Sequence, residues 1–186
     1  ELAVEAETRH PPLPHAVRLL PALIKGEAFE WLLEKAVELG AAAVQPVLTA
    51  NTVAHWDAEQ AEKKLAKWRR HMLEAAKQCH TPFLPELHAP VPLEKALDGK
   101  PDGAELRLVP ALFGEVRALL PVTAAWRETP RRGAILTGPE GDFTAEELGA
   151  AVARGFQPVT LGPLILRAET AALAALAVVT QAWQGE

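Results

Sequence analysis

Apolar residues along this chain occur in short runs, and between the runs lie longer segments with helical periodicity. The runs predict strands at Ala16 to Ile24, Ala43 to Leu48, Leu84 to His88, Leu106 to Val109, Ala134 to Leu136 and Val159 to Leu161. Strands that alternate with helices are typical of an α/β fold. We therefore expect a mainly parallel sheet with flanking helices.

Local start and stop signals accompany the predicted helices. One helix carries its buried face from Phe29 to Leu39 and ends at Gly40, and Asp57 is expected to cap a longer helix. The apolar stripe of that second helix runs through Leu65, Trp68, Met72, Ala75, Ala76 and Cys79. Short helices are predicted from Pro92 to Leu97 and from Glu115 to Leu120, and Thr144 with Glu147 forms a capping box for a helix ending near Gly155.

The final helix is predicted over roughly Ala168 to Trp183 and is apolar on nearly every side. A helix of this kind is enclosed by protein. Its richest apolar run, Ala171 to Val179, is too short to cross a bilayer, so we expect no membrane partner.

The chain has 186 residues, which fits one domain. Residues 1 to 14 are charged and then proline-rich, and they are predicted to be a linker, so the folded domain is expected at 15–186. A single cysteine, Cys79, and no signal-peptide pattern predict a cytoplasmic protein.

A net charge of −5 argues against a protein that coats nucleic acid through a general basic field. Lys63, Lys67 and Arg70 share one helix face and are a weak candidate for RNA binding. The alternative, favoured by the pattern alone, is a solvated helix face.

Most catalytic motifs are missing from the sequence. The six histidines do not form a ligand pair with a carboxylate motif, so no metal is expected. No Walker loop, G-x-G-x-x-G segment or G-x-S-x-G nucleophile elbow occurs either.

Two Gly/Pro loops follow two successive predicted strands. The first lies in Ile135 to Thr144 and contains the run GPEGD, and the second lies in Leu161 to Ala172 and contains LGPLILRAETA. In a parallel sheet, ligands bind beyond the carboxyl ends of strands, and glycines there allow close approach to the backbone. The loops are therefore the candidate ligand site.

Together the loops resemble those of the RsmE family, knotted methyltransferases of the SPOUT superfamily. Lys25 to Gly40, Glu74 to Cys79 and Pro85-Glu86 are similar to further family segments. The resemblance implies S-adenosylmethionine as cofactor and methylation of a uridine N3 in small-subunit (16S) ribosomal RNA. It also implies a C-terminal deep trefoil knot, a homodimer, and an N-terminal PUA-like domain of which residues 1 to 14 would be a remnant.

The family's cofactor pocket carries over to particular positions of this sequence: Leu136, Thr137, Gly138, Glu140, Gly141, Leu161, Gly162, Ile165 and Leu166, with Pro110 to Leu112 completing it. Arg167 is the candidate for stabilising the base or a phosphate, and Glu140 for orienting the cofactor or Arg167. A structural ion pair or a helix-end contact is the alternative for each.

The chain also departs from the family. Thr49-Ala50-Asn51 stands where members carry Ser-Glu-Arg, and His80 to Phe83 stands where they carry arginines. GPEGG becomes GPEGD at Asp142, which tolerates a left-handed backbone, and LGPR becomes LGPL at Leu164. Two alternatives therefore stay open: a noncatalytic RNA- or ribosome-binding relative, and a methyltransferase with another substrate.

Overall fold

The computed structural model of the chain describes residues 7–11, 13–54, 56–57, 59, 61–99, 105–126 and 132–183. The elements, in chain order, are β1 (Ala16–Pro21), α1 (Gly26–Glu38), β2 (Ala43–Val44), β3 (Val47–Leu48), α2 (Ala61–Gln78), β4 (Glu86–Leu87), β5 (Val91–Pro92), α3 (Leu93–Leu97), β6 (Leu106–Pro110), β7 (Arg117–Ala118), α4 (Leu119–Ala124), β8 (Arg132–Thr137), α5 (Ala145–Ala153), β9 (Gln157–Thr160) and α6 (Ala168–Trp183). The predicted linker lies partly outside the described residues; its described part forms neither helix nor strand.

The main sheet has seven strands in the order β4-β2-β1-β8-β6-β9-β7, and all of these pairings are parallel. Strand β8 is central and pairs with β1 over six positions, from Ala16 opposite Arg132 to Pro21 opposite Thr137. β3 and β5 form a separate parallel pair. The prediction of a mainly parallel α/β fold is confirmed, and the carboxyl ends of β1, β8, β6 and β9 lie side by side.

Helices cover both faces of the sheet. One core cluster joins β-strand residues such as Ile135 to side chains of α1, α2, α4 and α6, and the other joins Leu136 to α3 and α5. Neighbouring residues of β8 enter different clusters because successive side chains of a strand point to opposite faces. None of the helices that the structure describes has the length and hydropathy needed to cross a membrane.

Helix α6 has the predicted bounds and is enclosed as expected. It packs against α1, α4, β1 and β8. At its end, Trp183 is fully buried and its indole N–H donates to the Thr123 carbonyl at 3.1 Å. The ring lies over Gly133, where a Cβ would be 3.1 Å from Trp183 Cη2. The absence of a side chain at Gly133 therefore makes room for the end of α6.

Three local predictions were wrong. The strand expected over Ala43 to Leu48 is two strands, β2 and β3, because Pro46 has no N–H to donate and the chain crosses to a second sheet there. The helix expected from Glu115 to Leu120 begins only at Leu119, since Arg117–Ala118 pairs with β9 instead. Asp57 accepts from the Glu59 N–H two residues on, whereas α2 begins at Ala61.

Gly133→Ala is expected to destabilise the fold by about 1–3 kcal/mol, because the new methyl group overpacks the buried Trp183 ring. Urea unfolding measures the change. Gly149→Ala in α5 is the matched control, since no atom lies within 4 Å of its Cβ position, and it should be neutral or stabilising. Equal stability of the two variants would contradict the packing described here.

Candidate functional site

Three loops meet at the carboxyl edge of the sheet. They follow β8, β6 and β9, which are neighbours, and they enclose a cavity of about 490 Å³ together with the start of α6. The two loops singled out from the sequence thus line the same cavity. Their strands, β8 and β9, flank β6, whose own loop also lines the cavity. The sheet order is what brings these distant segments together.

Most residues predicted for the pocket line this cavity: Pro110, Ala111, Leu112, Thr137, Gly138, Glu140, Leu161, Ile165, Leu166 and Arg167. Leu136, Gly141 and Gly162 do not line it. Leu136 is fully buried in the core cluster with α3 and α5. Successive side chains of β8 point to opposite faces, and it is the next residue, Thr137, that lines the cavity. Gly141 lies against Asn51, and Gly162 has a φ of 122° that favours glycine and bends the second loop.

Other lining residues were not predicted. They are Ala28, Pro139, Asp142, Leu164, Ala168, Glu169 and Ala171. Ala28 comes from the first turn of α1. It lies in the Lys25 to Gly40 segment, which resembles a family segment but was not predicted to line the site. Glu169 and Ala171 belong to the ETA run itself, so that motif was a usable signal for them.

The mouth of the cavity combines apolar and charged groups. Leu164 and Ile165 are 75% and 79% exposed, and Leu112 is 59% exposed. Glu140 and Arg167 are both exposed, and no hydrogen bond or ion pair joins one to the other in the described part of the chain. The guanidinium and the carboxylate are therefore both available to a ligand.

Asn51 holds the first loop in place. Its side-chain amide donates to the Gly141 carbonyl at 3.1 Å and to the Asp142 carbonyl at 2.9 Å. The neighbouring Ala50 N–H donates to Glu147 Oε1 at 2.7 Å. The segment after β3 is thus fastened both to the GPEGD loop and to the helix that follows it.

The same loop is stabilised from within. Asp142 has a φ of 59°, so it adopts the left-handed backbone that it was expected to tolerate. Its Oδ1 accepts from the Phe143 N–H at 2.8 Å. The predicted capping box is present: Glu147 N–H donates to Thr144 Oγ1 and Thr144 N–H donates to Glu147 Oε2. These local bonds shape the loop before any ligand arrives.

Negative charge gathers at the start of α5. The pKa of Glu146 lies below its ordinary value because its carboxylate accepts from its own backbone N–H and from the Thr144 side chain. Helix amino termini favour such a charge. The carboxylate is therefore ionised at neutral pH beside the loop that lines the cavity.

The basic face proposed for α2 lies apart from the cavity lining. Lys63, Lys67 and Arg70 are exposed, and Lys67 forms an ion pair with Glu30 of α1. Their RNA-binding role stays a prediction. Among the described residues, no group of three or more His, Cys, Asp or Glu side chains is placed to hold a metal ion.

Asn51→Ala is expected to loosen residues 141–143, because two carbonyls lose their donor at a net cost of about 0.5–1.5 kcal/mol each. Asn51→Asp should loosen them more, since a carboxylate then faces two carbonyl oxygens. Amide hydrogen exchange of residues 141–143 measures the effect. Val53→Ala, an exposed change in the same segment, is the control, and unchanged exchange in both Asn51 variants would contradict the role of the amide.

Comparison with known proteins agrees with this geometry. A family model described as an RNA methyltransferase domain matches residues 11–180. The ribosomal RNA small subunit methyltransferase E of Synechocystis sp. is 39% identical over 168 residues, which are 89% of this chain and 53% of the relative. The Mycobacterium bovis protein of the same name is 31% identical over 182 residues, covering 93% of this chain and 67% of the relative.

A solved structure has the same fold. The ribosomal RNA small subunit methyltransferase E from Neisseria gonorrhoeae, bound to S-adenosyl methionine, superposes with a TM-score of 0.80 at 32% identity and covers 91% of this chain and 68% of that chain. This chain spans about half the length of the Synechocystis relative. From the family model, the relatives and the motifs at the cavity, the chain belongs to the RsmE family of RNA methyltransferases.

Proposed function

We propose that this chain binds S-adenosylmethionine in the cavity at the carboxyl edge of the sheet and transfers its methyl group to ribosomal RNA. The finer proposal is that the acceptor is N3 of a uridine in small-subunit (16S) ribosomal RNA, in the cytoplasm. The observation that carries the proposal is the meeting of the GPEGD and LGPLILR loops on one cavity. The Neisseria gonorrhoeae relative, which is bound to S-adenosyl methionine, supports it.

The cavity suits this cofactor in size and chemistry. Its volume of about 490 Å³ lies within the range of about 300–1,000 Å³ that is usual for small-molecule sites. Leucine side chains line it, as suits an adenosine, and the carboxylates of Glu140, Asp142 and Glu169 outnumber the guanidinium of Arg167 and so favour a cationic ligand. Leu161 and Leu166 would flank the bound group.

When bound, S-adenosylmethionine supplies an electrophilic methyl group on a sulfonium. Uracil N3 must lose its proton before it can attack, so the protein has to favour the anionic base. Arg167 lines the cavity and is exposed, and we assign it to hold the developing anion or a neighbouring phosphate. Glu140 is assigned to orient the cofactor. Holding both reactants in one cavity lowers the entropic barrier.

The family resemblance also bears on the assembly. We propose that residues 15–186 form the methyltransferase domain, that α6 threads a deep trefoil knot, and that two copies form a homodimer. The enclosure of α6 by α1, α4, β1 and β8 is what a threaded helix needs. Exposed Leu164 and Ile165 beside the cavity suit an interface there. A single-chain mass by light scattering would contradict the homodimer.

A noncatalytic relative is the competing function. It is favoured by one observation: Asn51 occupies a position where family members carry arginine, and its amide is engaged with the cavity loop instead of facing RNA. The two candidate functions are distinguished by whether the protein transfers a methyl group to RNA.

Calorimetric titration should show saturable S-adenosylmethionine binding by the wild type. Gly138→Val should weaken it about 10- to 100-fold, because a Cβ there lies 3.1 Å from Asp142 Oδ1 and 3.3 Å from the Phe143 ring and displaces the loop by overpacking. Gly149→Ala is the control and should bind normally. Absence of binding by the wild type would refute the cofactor site.

Arg167→Ala is expected to lower kcat for methylation of a small-subunit ribosomal RNA transcript by about 10²- to 10³-fold while cofactor binding persists, because one charge-stabilising donor is lost. Nucleoside mass spectrometry measures the product, which should be N3-methyluridine. Arg117→Ala, an exposed arginine on β7 outside the cavity lining, is the control. Methylation at another atom would contradict the N3 assignment, and no methylation by the wild type would favour the noncatalytic relative.

A further inference from the structure

A second, smaller cavity of about 240 Å³ adjoins the first. Its walls include Lys25, Gly26, Phe29, Val53, Lys64 and Trp68. The first turn of α1 is shared between the two cavities, since Ala28 lines the first and Gly26 and Phe29 line the second. The two cavities therefore lie within one helical turn of each other along α1.

The charge of this cavity is positive. Lys25 and Lys64 are its cations, and the carboxylate of Glu30, which also lines it, is already paired with Lys67. Two lysines at one cavity form a local cationic site in a protein whose net charge is −5. Such a site attracts an anion even though the protein as a whole repels one.

The aromatic rings of this cavity are not available for stacking with a base. Trp68 is 2% exposed, and Trp56 stacks on it with ring centroids 5.7 Å apart. Lys64 Nζ lies 5.5 Å from the centroid of each ring. The rings contribute to the position of the ammonium, and the ligand that suits the cavity is an anion and not a stacked base.

The backbone at the cavity adds donors. Lys25, the residue before α1, makes no side-chain capping bond, so the first N–H groups of the helix keep their donors for a ligand. No heavy atom lies within 4 Å of the Cβ position of Gly26, which leaves that approach open. Lysines, helix N–H groups and an apolar floor together fit the phosphate and ribose of a nucleotide chain.

We propose that the second cavity binds a backbone phosphate of the RNA next to the nucleotide that is methylated, with Lys25 and Lys64 as its ligands. This proposal rests on the proposed function, because it assigns the RNA path of the same enzyme. Contacts of this kind position RNA without reading its sequence. Lys25 and Lys64 line the second cavity, whereas Lys63, Lys67 and Arg70 line neither cavity.

The test compares Lys25→Gln, Lys64→Gln and the control Lys95→Gln. Lys95 is an exposed lysine of α3, which packs on the other face of the sheet, so its loss changes the net charge equally. The probe is a small-subunit ribosomal RNA transcript, and its Kd is measured directly over a range of salt concentrations. Cofactor affinity is measured separately by calorimetry with S-adenosylmethionine.

We expect each cavity variant to raise the RNA Kd about fivefold at 0.1 M salt, because a contact to single-stranded RNA contributes a slope of about 0.7 in log K against log salt. The salt slope should fall by the same amount, while cofactor affinity stays unchanged. Lys95→Gln should leave the RNA Kd and the salt slope near their wild-type values. The Lys25 variant disturbs no tryptophan contact, so it decides the outcome if Lys64→Gln unfolds.

The outcomes separate this proposal from the function on which it rests. No RNA binding by the wild type, an equal effect of all three variants, or a fall in kcat with an unchanged RNA Kd would each overturn the second cavity as a phosphate site. Loss of RNA affinity only in the two cavity variants supports it. If the wild type binds RNA in this pattern but binds no S-adenosylmethionine, the methyltransferase proposal fails and the phosphate site stands.

Discussion

The packing of the last helix and the position of the cavity both depend on the residues at the two ends of strand β8. At its amino end, Gly133 leaves the space that the fully buried Trp183 ring occupies. At its carboxyl end, Thr137 and Gly138 open the cavity between the neighbouring loops. One central strand therefore fixes both the last helix and the site, and a shift of its register by one residue would turn Leu136 toward the cavity and Thr137 into the core.

The site is shaped by hydrogen bonds that cross between distant segments. Asn51 follows β3 in the chain, yet its amide is bonded to carbonyls of the loop after β8. A short uncharged polar side chain at this position makes a contact that stabilises the loop. In the proposed function, attraction of RNA would depend on other cations, such as Lys25 and Lys64 of the second cavity.

Local signals in the sequence were sufficient for several elements. The capping box of Thr144 and Glu147 and the uniformly apolar α6 are encoded within single turns or a single helix, so their bounds could be predicted. The two-residue strands could not, because Arg117–Ala118 is extended only through its pairing with β9, and Pro46 divides a run that hydropathy alone joins. The motifs located the first cavity, whereas the Asn51 bonds and the second cavity join residues far apart in sequence and carry no local signature.

For an acidic chain, the proposed action on RNA depends more on where its positive charges lie than on how many it has. Salt screens the charges of exposed lysines on α2 over a Debye length of about 8–10 Å. Such lysines also pair readily with carboxylates, as Lys67 does with Glu30. A lysine held over two stacked tryptophans loses less side-chain entropy on binding a phosphate, because its position is already restricted. In the proposed arrangement, Lys64 and the first turn of α1, which borders both cavities, would hold the RNA chain beside the reacting methyl group, and the overall negative charge would weaken binding of RNA elsewhere on the surface.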